Sequence, residues 1–313
     1  MLTVLRTSGL ATVQDLGWPT GRSVGLPQSG AIDPPALQIA NALVGNPMGA
    51  AAIEVALGGL TVRFGDTRRF AITGAAAAQA GADNGRNPRT THLARAGDVL
   101  TVEPRESGRF GYLAVEGGID VPLTLGSRAT YLPIAMGGYR GRRLLANDEL
   151  PLGAALGGPP AGFQAPGETV AIGAIRLVAG PQVQLFSEET LSRLEASTYT
   201  ISPASDRMGT RLVGPSIAPA VKASLPSEAA CLGALQVPDD GQPIALLADG
   251  PTVGGYPKVG VIASADLPRF GQLPIGAAVR FRLISIAESQ DLRSAAIERL
   301  QATLSAIRKE WRG

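Results

Sequence analysis

Hydrophobic positions along the chain fall mostly in short runs broken by glycine and proline: LTVLRT, LTVRFG, RFAITG, DVLTVEP, GYLAVEGG, ETVAIGAIRLVAG, YTISP, GALQVP, PIALLAD, VGVIASAD and AVRFRLIS. Short apolar runs bounded by turn residues read as β-strands. In AVRFRLIS, Val279, Phe281 and Leu283 alternate with Arg280 and Arg282, the pattern of a single strand with one wet face. GALQVP and PIALLAD flank PDDGQP and read as a hairpin with a longer loop. Helical periods are few. DPPALQIANALVGNP offers Asp33 as N-cap, Pro34 at the first helical position and an apolar face of Leu37, Ala40, Leu43 and Val44, then stops at Gly45-Asn46-Pro47. FSEETLSRLEAS opens on Ser187. The last segment, SIAESQDLRSAAIERLQATLSAIRKEW, offers Ser285 and Glu288 as a capping box and a stripe of Leu292, Ala296, Leu300, Leu304, Ile307 and Trp311. The chain is therefore expected to be mostly β with a few helices and a C-terminal helix. Helices do not alternate with the strands, which favours barrels or sandwiches over a parallel sheet. The Gly/Pro/Ala-rich segment 153–168 is the candidate linker, giving an N-terminal β lobe, 1–165, and a C-terminal β lobe with the terminal helix, 166–313.

Composition removes whole classes of function. With 313 residues and 45% hydrophobic residues the chain can bury a sizeable core. A net charge of +2 with scattered basic residues leaves no footprint for nucleic acid. The start MLTVLRTSG lacks an apolar h-region, and no run reaches the roughly 18 apolar residues of a membrane span, so a cytoplasmic protein is expected. One histidine, His92, and one cysteine, Cys231, leave no His/Cys metal cluster and no internal disulfide. A nucleophilic triad would need His92, whose setting in NPRTTHLARAGD reads better as a structural or solvated histidine. No lysine precedes Ser or Thr, so there is no Walker loop; no G-x-G-x-x-G opens a helix; and no A-M-K-M-like segment carries biotin.

Chemistry-bearing residues gather in a few stretches. TVQDLGWPTGRSVGLPQSGAIDPP brings Gln28, Ser29 and Asp33 to a helix start, and two readings stand: a long capped loop, or an anion site built from free helix N–H groups beside Ser29 and Gly30. YRGRR reads as a solvated basic turn or a phosphate clamp. SPASDRMGTRLVGP carries Asp206, Arg207 and Arg211. In PIALLADGPTVGGYPKVGV, Asp249 ends an apolar run, and Gly254-Gly255 are expected to supply backbone conformations closed to other residues. Pro257 then leads to Lys258, one of only three lysines in the chain. If the two flanking strands pair, Asp249 and Lys258 share a loop mouth as a charge pair: a plain surface pair, or a proton acceptor beside a cation that stabilises oxygen charge.

TVQDLG, GLPQSGAIDPPALQIANALVGNP, YLAVEGGIDVP with LGSRATY, SDRMGTRL and LQVPDDGQPIALLADGPTVGGYPKVGVIASADLPRFGQL together resemble one family, known variously as the 5-oxoprolinase C subunit, biotin-dependent carboxyltransferase, allophanate hydrolase subunit 2 or KipA-like. The resemblance implies two cyclophilin-like β-barrel lobes with a groove between them. It implies partners within 5-oxoprolinase, a KipI-like B subunit plus a LamB/YcsF-like A subunit. It also implies ATP, bound in this chain, shared, or held by a partner, with a small amide as substrate. It places Gln28, Ser29, Asp33, Arg207, Asp249, Tyr256 and Lys258 at the groove, with Gly254 and Gly255 approaching the substrate. Lys258 and Arg207 would bear charge on oxygen or phosphate, and Asp249 would position or deprotonate. The function implied is that of the C subunit of an ATP-dependent 5-oxoprolinase, cleaving the lactam to glutamate. The alternatives are a carboxyltransferase using carboxybiotin on another protein, and a non-catalytic binder of a KipI-like kinase inhibitor. The chain departs from the family's usual pattern at Asp206, where Asn is commoner, and at Val253, where Thr is.

Overall fold

The computed structural model describes residues 1–80, 83–106, 108–167, 173–219 and 225–312. The opening residues of ETVAIGAIRLVAG, 168–172, lie outside the described residues. The chain divides into two units: Met1–Pro19, Ser29–Glu168 and Arg299–Gly313 in the first, Thr20–Gln28 and Thr169–Glu298 in the second.

The first unit holds a six-stranded and a five-stranded sheet. The five-stranded sheet carries β1 (Leu10–Gln14), β2 (Ala52–Ala56), β3 (Arg68–Gly74) and β4 (Phe110–Val115), in the order β1-β2-β4-β3 with His92–Ala94 at its edge. All pairings of these strands are antiparallel. Every residue of β2 and β4 is buried, because the sheet is covered on both faces. One face packs into the core with Leu2, Val62, Phe64 and Leu100 of the other sheet. The other receives α1 (Pro34–Leu43), whose predicted apolar positions Leu37, Ala40 and Leu43, with Val44 just beyond, are all buried, and Ala36, Ile39, Asn41 and Ala42 are buried as well. Thr73 Oγ1 donates to Ala36 O (2.7 Å) and Thr91 Oγ1 to Leu43 O (2.7 Å), pinning both ends of the helix. The stop at Gly45 is steric as well as conformational: φ is 76°, and a Cβ would lie 1.8 Å from Gly157 O.

The second unit is built on one eight-stranded sheet. Its central strands are β5 (Ile175–Ala179), β6 (Gly209–Val213), β7 (Ala234–Gln236), β8 (Ile244–Leu246) and β9 (Lys258–Ile262), in the order β6-β8-β7-β9-β5. The predicted hairpin is β7–β8, with Leu235 opposite Ala245. AVRFRLIS is two strands rather than one. Ala278–Val279 pairs with Tyr199–Ile201 at one edge of the sheet, and β10 (Phe281–Ile284) pairs in parallel with β5 at the other. Only Arg280 separates them, so the sheet comes round on itself into a nearly closed barrel. The alternation holds from Val279 to Arg282, with Val279 and Phe281 buried and Arg280 and Arg282 exposed, but Leu283 is only half-buried, and alternation cannot report a change of partner. α2 (Glu188–Ala196) starts as predicted on Ser187, whose Oγ accepts from Thr190 N (3.2 Å). α3 (Leu267–Gln272) is short, and α4 (Ile286–Arg312) begins with Ser285 Oγ accepting from Glu288 N (3.1 Å). On α4, Leu304 and Ile307 are buried and Leu292, Ala296, Leu300 and Trp311 half-buried, which is the predicted stripe. Among the described residues no helix is long and apolar enough to cross a membrane.

Candidate functional site

The α1 end of the first unit answers the choice left open by the sequence. Asp33 caps the helix, its Oδ1 accepting from Ala36 N (3.1 Å). Asp33 N donates to the Tyr112 hydroxyl (2.8 Å), Ile32 N to Glu54 Oε2 (3.0 Å) and Ala31 N to Asp15 O (2.9 Å). Pro34 and Pro35 have no N–H to offer. The donors that would make an anion site are therefore used within the unit, and a carboxylate of the chain, Glu54, already occupies it. Tyr112 OH donates to Glu54 Oε2 (2.8 Å), and burial, with Glu54 and Asp33 nearby, raises the phenol well above its ordinary pKa. Ser29 is buried at φ 50°, its Oγ donating to Thr130 O (3.3 Å). Sequence reasoning missed Glu54 and Tyr112; the signal present was a lone acid in the otherwise apolar run AIEVA.

The second unit holds Gln28, Arg207, Asp249, Gly254, Gly255, Tyr256 and Lys258. The predicted Asp249–Lys258 pair does not form. β8 and β9 are not neighbours, because β7 lies between them, and Lys258 sits level with Gln236 and Ile244 while Asp249 follows the far end of β8. Asp249 instead takes a two-point grip on Arg207, Nε to Oδ2 at 2.8 Å and Nη2 to Oδ1 at 3.0 Å, with Asp249 N donating to Arg207 O (3.0 Å). Lys258 Nζ pairs with Glu228 Oε1, and Gln182 braces both: its Nε2 donates to Glu228 (2.6 Å) and its Oε1 accepts from Lys258 N (3.1 Å). The ammonium holds the Glu228 carboxyl below its ordinary value.

Gly254 and Gly255 also differ from expectation. Neither has a positive φ. A Cβ at Gly254 would lie 2.8 Å from Gln236 Nε2, the end of a side chain that would have to turn aside, and one at Gly255 would lie 3.1 Å from Leu225 O. Gln28 is half-buried and Tyr256 is 49% exposed. The departure at Asp206 is locally silent, since its Oδ1 accepts from Met208 N (2.8 Å) and Gly209 N (3.1 Å) and an Asn oxygen does the same. Val253 is exposed on the two-residue ribbon that pairs Val253–Gly254 with Glu228–Ala229. His92 lies in the first unit, stacked on Phe70 with ring centroids 5.1 Å apart and Nε2 at 2.9 Å from Asn87 O. A cavity of about 550 Å³ in the second unit opens beside Arg269, Arg280 and Arg282, and none of the predicted site residues lines it.

The family model for the carboxyltransferase domain, subdomain A and B, matches residues 24–283. The chain belongs to this carboxyltransferase-domain family. Over 295 residues it is 37% identical to the 5-oxoprolinase C subunit of Escherichia coli (strain K12), and the match covers 94% of each chain. The corresponding C subunit of Haemophilus influenzae 5-oxoprolinase is 34% identical over 299 residues, again 94% of each. The urea amidolyase of K. lactis superposes with a TM-score of 0.86 at 28% identity, over 96% of this carboxyltransferase-domain chain. This chain spans only 20% of that enzyme, whereas it runs nearly the full length of the two bacterial proteins.

Proposed function

We propose that this chain is the C subunit of an ATP-dependent 5-oxoprolinase that opens the lactam of 5-oxoproline to glutamate together with its A and B partners. The observation that carries the reading is the near end-to-end match, 94% of both chains, to two bacterial proteins of that name. The second unit supplies chemistry suited to it. An amide oxygen that gains charge as its carbon is attacked needs a fixed cation. The reading gives that work to Lys258, which is 2% exposed, with its ammonium paired to Glu228 and its backbone N–H held by Gln182. Both Asp249 oxygens are taken by Arg207, so Asp249 serves as the frame that orients the guanidinium rather than as the base.

A triphosphate does not fit the residues of this site. Arg207 is sealed against Asp249, which leaves Lys258 as the one member of these two pairs with a partner that water can replace, too little positive charge for a triphosphate. The reading therefore assigns ATP, which would activate the lactam oxygen, to a partner protein. The deciding measurement is 5-oxoproline-dependent ATP hydrolysis by the complex reassembled from all three components; a competent complex with no turnover refutes the reading. The family itself and the K. lactis urea amidolyase fold favour one second reading, carboxyl transfer from biotin on another protein. Activity abolished by avidin would select it.

A further inference from the structure

We propose that the side-chain amide of Gln236 recognises the amide edge of the substrate. The inference rests on the lactam reading above and goes beyond it by naming the group that tells a lactam from its oxygen analogue.

Gln236 is the last residue of β7 and is 4% exposed, yet its Nε2 is buried with no hydrogen-bond partner among the described residues. An unpaired buried donor is destabilising and rare, and where it persists it calls for a role. The surroundings are built around it. Gly254 leaves room for the amide where it lies, since a Cβ would stand 2.8 Å from Nε2 and turn the side chain aside. The pairing of β7 with β9 slips at this point, from Leu235 opposite Gly260 to Gln236 opposite Lys258, so Val259 is bulged out and the side chains of the last pair are re-aimed. Gln236 thus stands across the ladder from Lys258. The ribbon that lies against its amide is held by two residue pairs, Glu228 with Gly254 and Ala229 with Val253.

The chemistry of the amide narrows what it would take. A primary carboxamide presents a donor and an acceptor side by side. A lactam is locked in the cis form and presents the complementary donor and acceptor on one edge, as does a urea. One Gln can therefore pair with either through two hydrogen bonds in a plane, while Lys258 faces the oxygen. A lactone, with oxygen in place of the ring N–H, offers no donor and forms only one.

The test is calorimetric titration of the assembled complex with 5-oxoproline and with 5-oxotetrahydrofuran-2-carboxylate, followed by steady-state rates. Wild type is expected to bind the lactam at least about tenfold more tightly than the lactone, because a site built for an N–H rejects its absence. Gln236→Leu and Gln236→Met, which leave no amide at this edge, are expected to bring that ratio close to one and to raise KM more than they lower kcat, whereas Gln236→Glu, which keeps an acceptor for the ring N–H, is expected to weaken both ligands and retain the lactam preference. A lactam preference that survives in whichever of the Leu and Met variants folds overturns the proposal, as does a wild type that binds both ligands equally or neither. A wild type that binds the lactam but never couples it to ATP hydrolysis removes the proposed function alone, and the binding ratio still decides the role of Gln236.

Discussion

Two ion pairs of the second unit, Arg207–Asp249 and Lys258–Glu228, differ in burial in a way that the proposed function uses to tell a frame from a working part. Arg207 and Asp249 are 5% and 3% exposed at the side chain, joined at two points and tied again through the backbone. Lys258 is as deeply buried, at 3%, but its partner Glu228 is 43% exposed on a short ribbon. A sealed pair resists change because neither charge can reach water, and removing one member strands the other. A pair with one wet member gives up its partner readily. The first arrangement suits holding strands β6 and β8 in place, and the second suits a cation that must meet a developing charge and then be restored.

The sharpest way to break this contrast is Asp249→Ala, which leaves the Arg207 guanidinium buried without its carboxylate. A loss of about 3–5 kcal/mol in urea unfolding is expected, and an equally stable variant would show that the pair is not a frame. Lys258→Ala comes next. It should leave a folded protein and lower kcat of the complex by about a hundredfold, the scale of losing one oxyanion donor; unchanged kcat would remove Lys258 from the chemistry. Glu228→Gln should leave the urea midpoint within error of wild type at neutral pH and lower kcat by roughly tenfold, through a less well-held ammonium.

The pH dependence of the same pair has a definite sign. Glu228 has its carboxyl held below the ordinary 4.5, so whatever the pair contributes is fully present above that value and is lost as pH falls through the depressed one. Comparison of wild type with Glu228→Gln by urea unfolding from pH 6 to 3 should show any small separation between the two curves closing only at the acid end. The smallest effect is expected for Asp206→Asn, which keeps both accepted N–H bonds: less than about 0.5 kcal/mol, read from the same unfolding curves.

Local pattern carried most of the elements: the caps at Asp33 and Ser187, the stripe on α4 and the β7–β8 hairpin all depend on neighbours in sequence. The ion pairs did not follow from proximity. Asp249 and Lys258 are close in the chain, but their partners come from 42 and 30 positions away, chosen by a strand order that no run of side chains encodes. Gly254 was visible as a glycine, but its reason was not, since contact with the Gln236 amide appears only once β7 and the ribbon are placed. Glu54 and Tyr112 were hidden for a related reason: each sits in an apolar strand, and their meeting requires β2 beside β4.

The break at Arg280 ties the second unit to the timing of its own synthesis. The two ends of the barrel sheet are adjacent in the chain, near its C-terminus, so earlier segments can pair among themselves but the ring cannot shut until Phe281–Ile284 has left the ribosome. Until then the nascent chain exposes the open side of β5, the kind of unpaired edge that recruits stray strands.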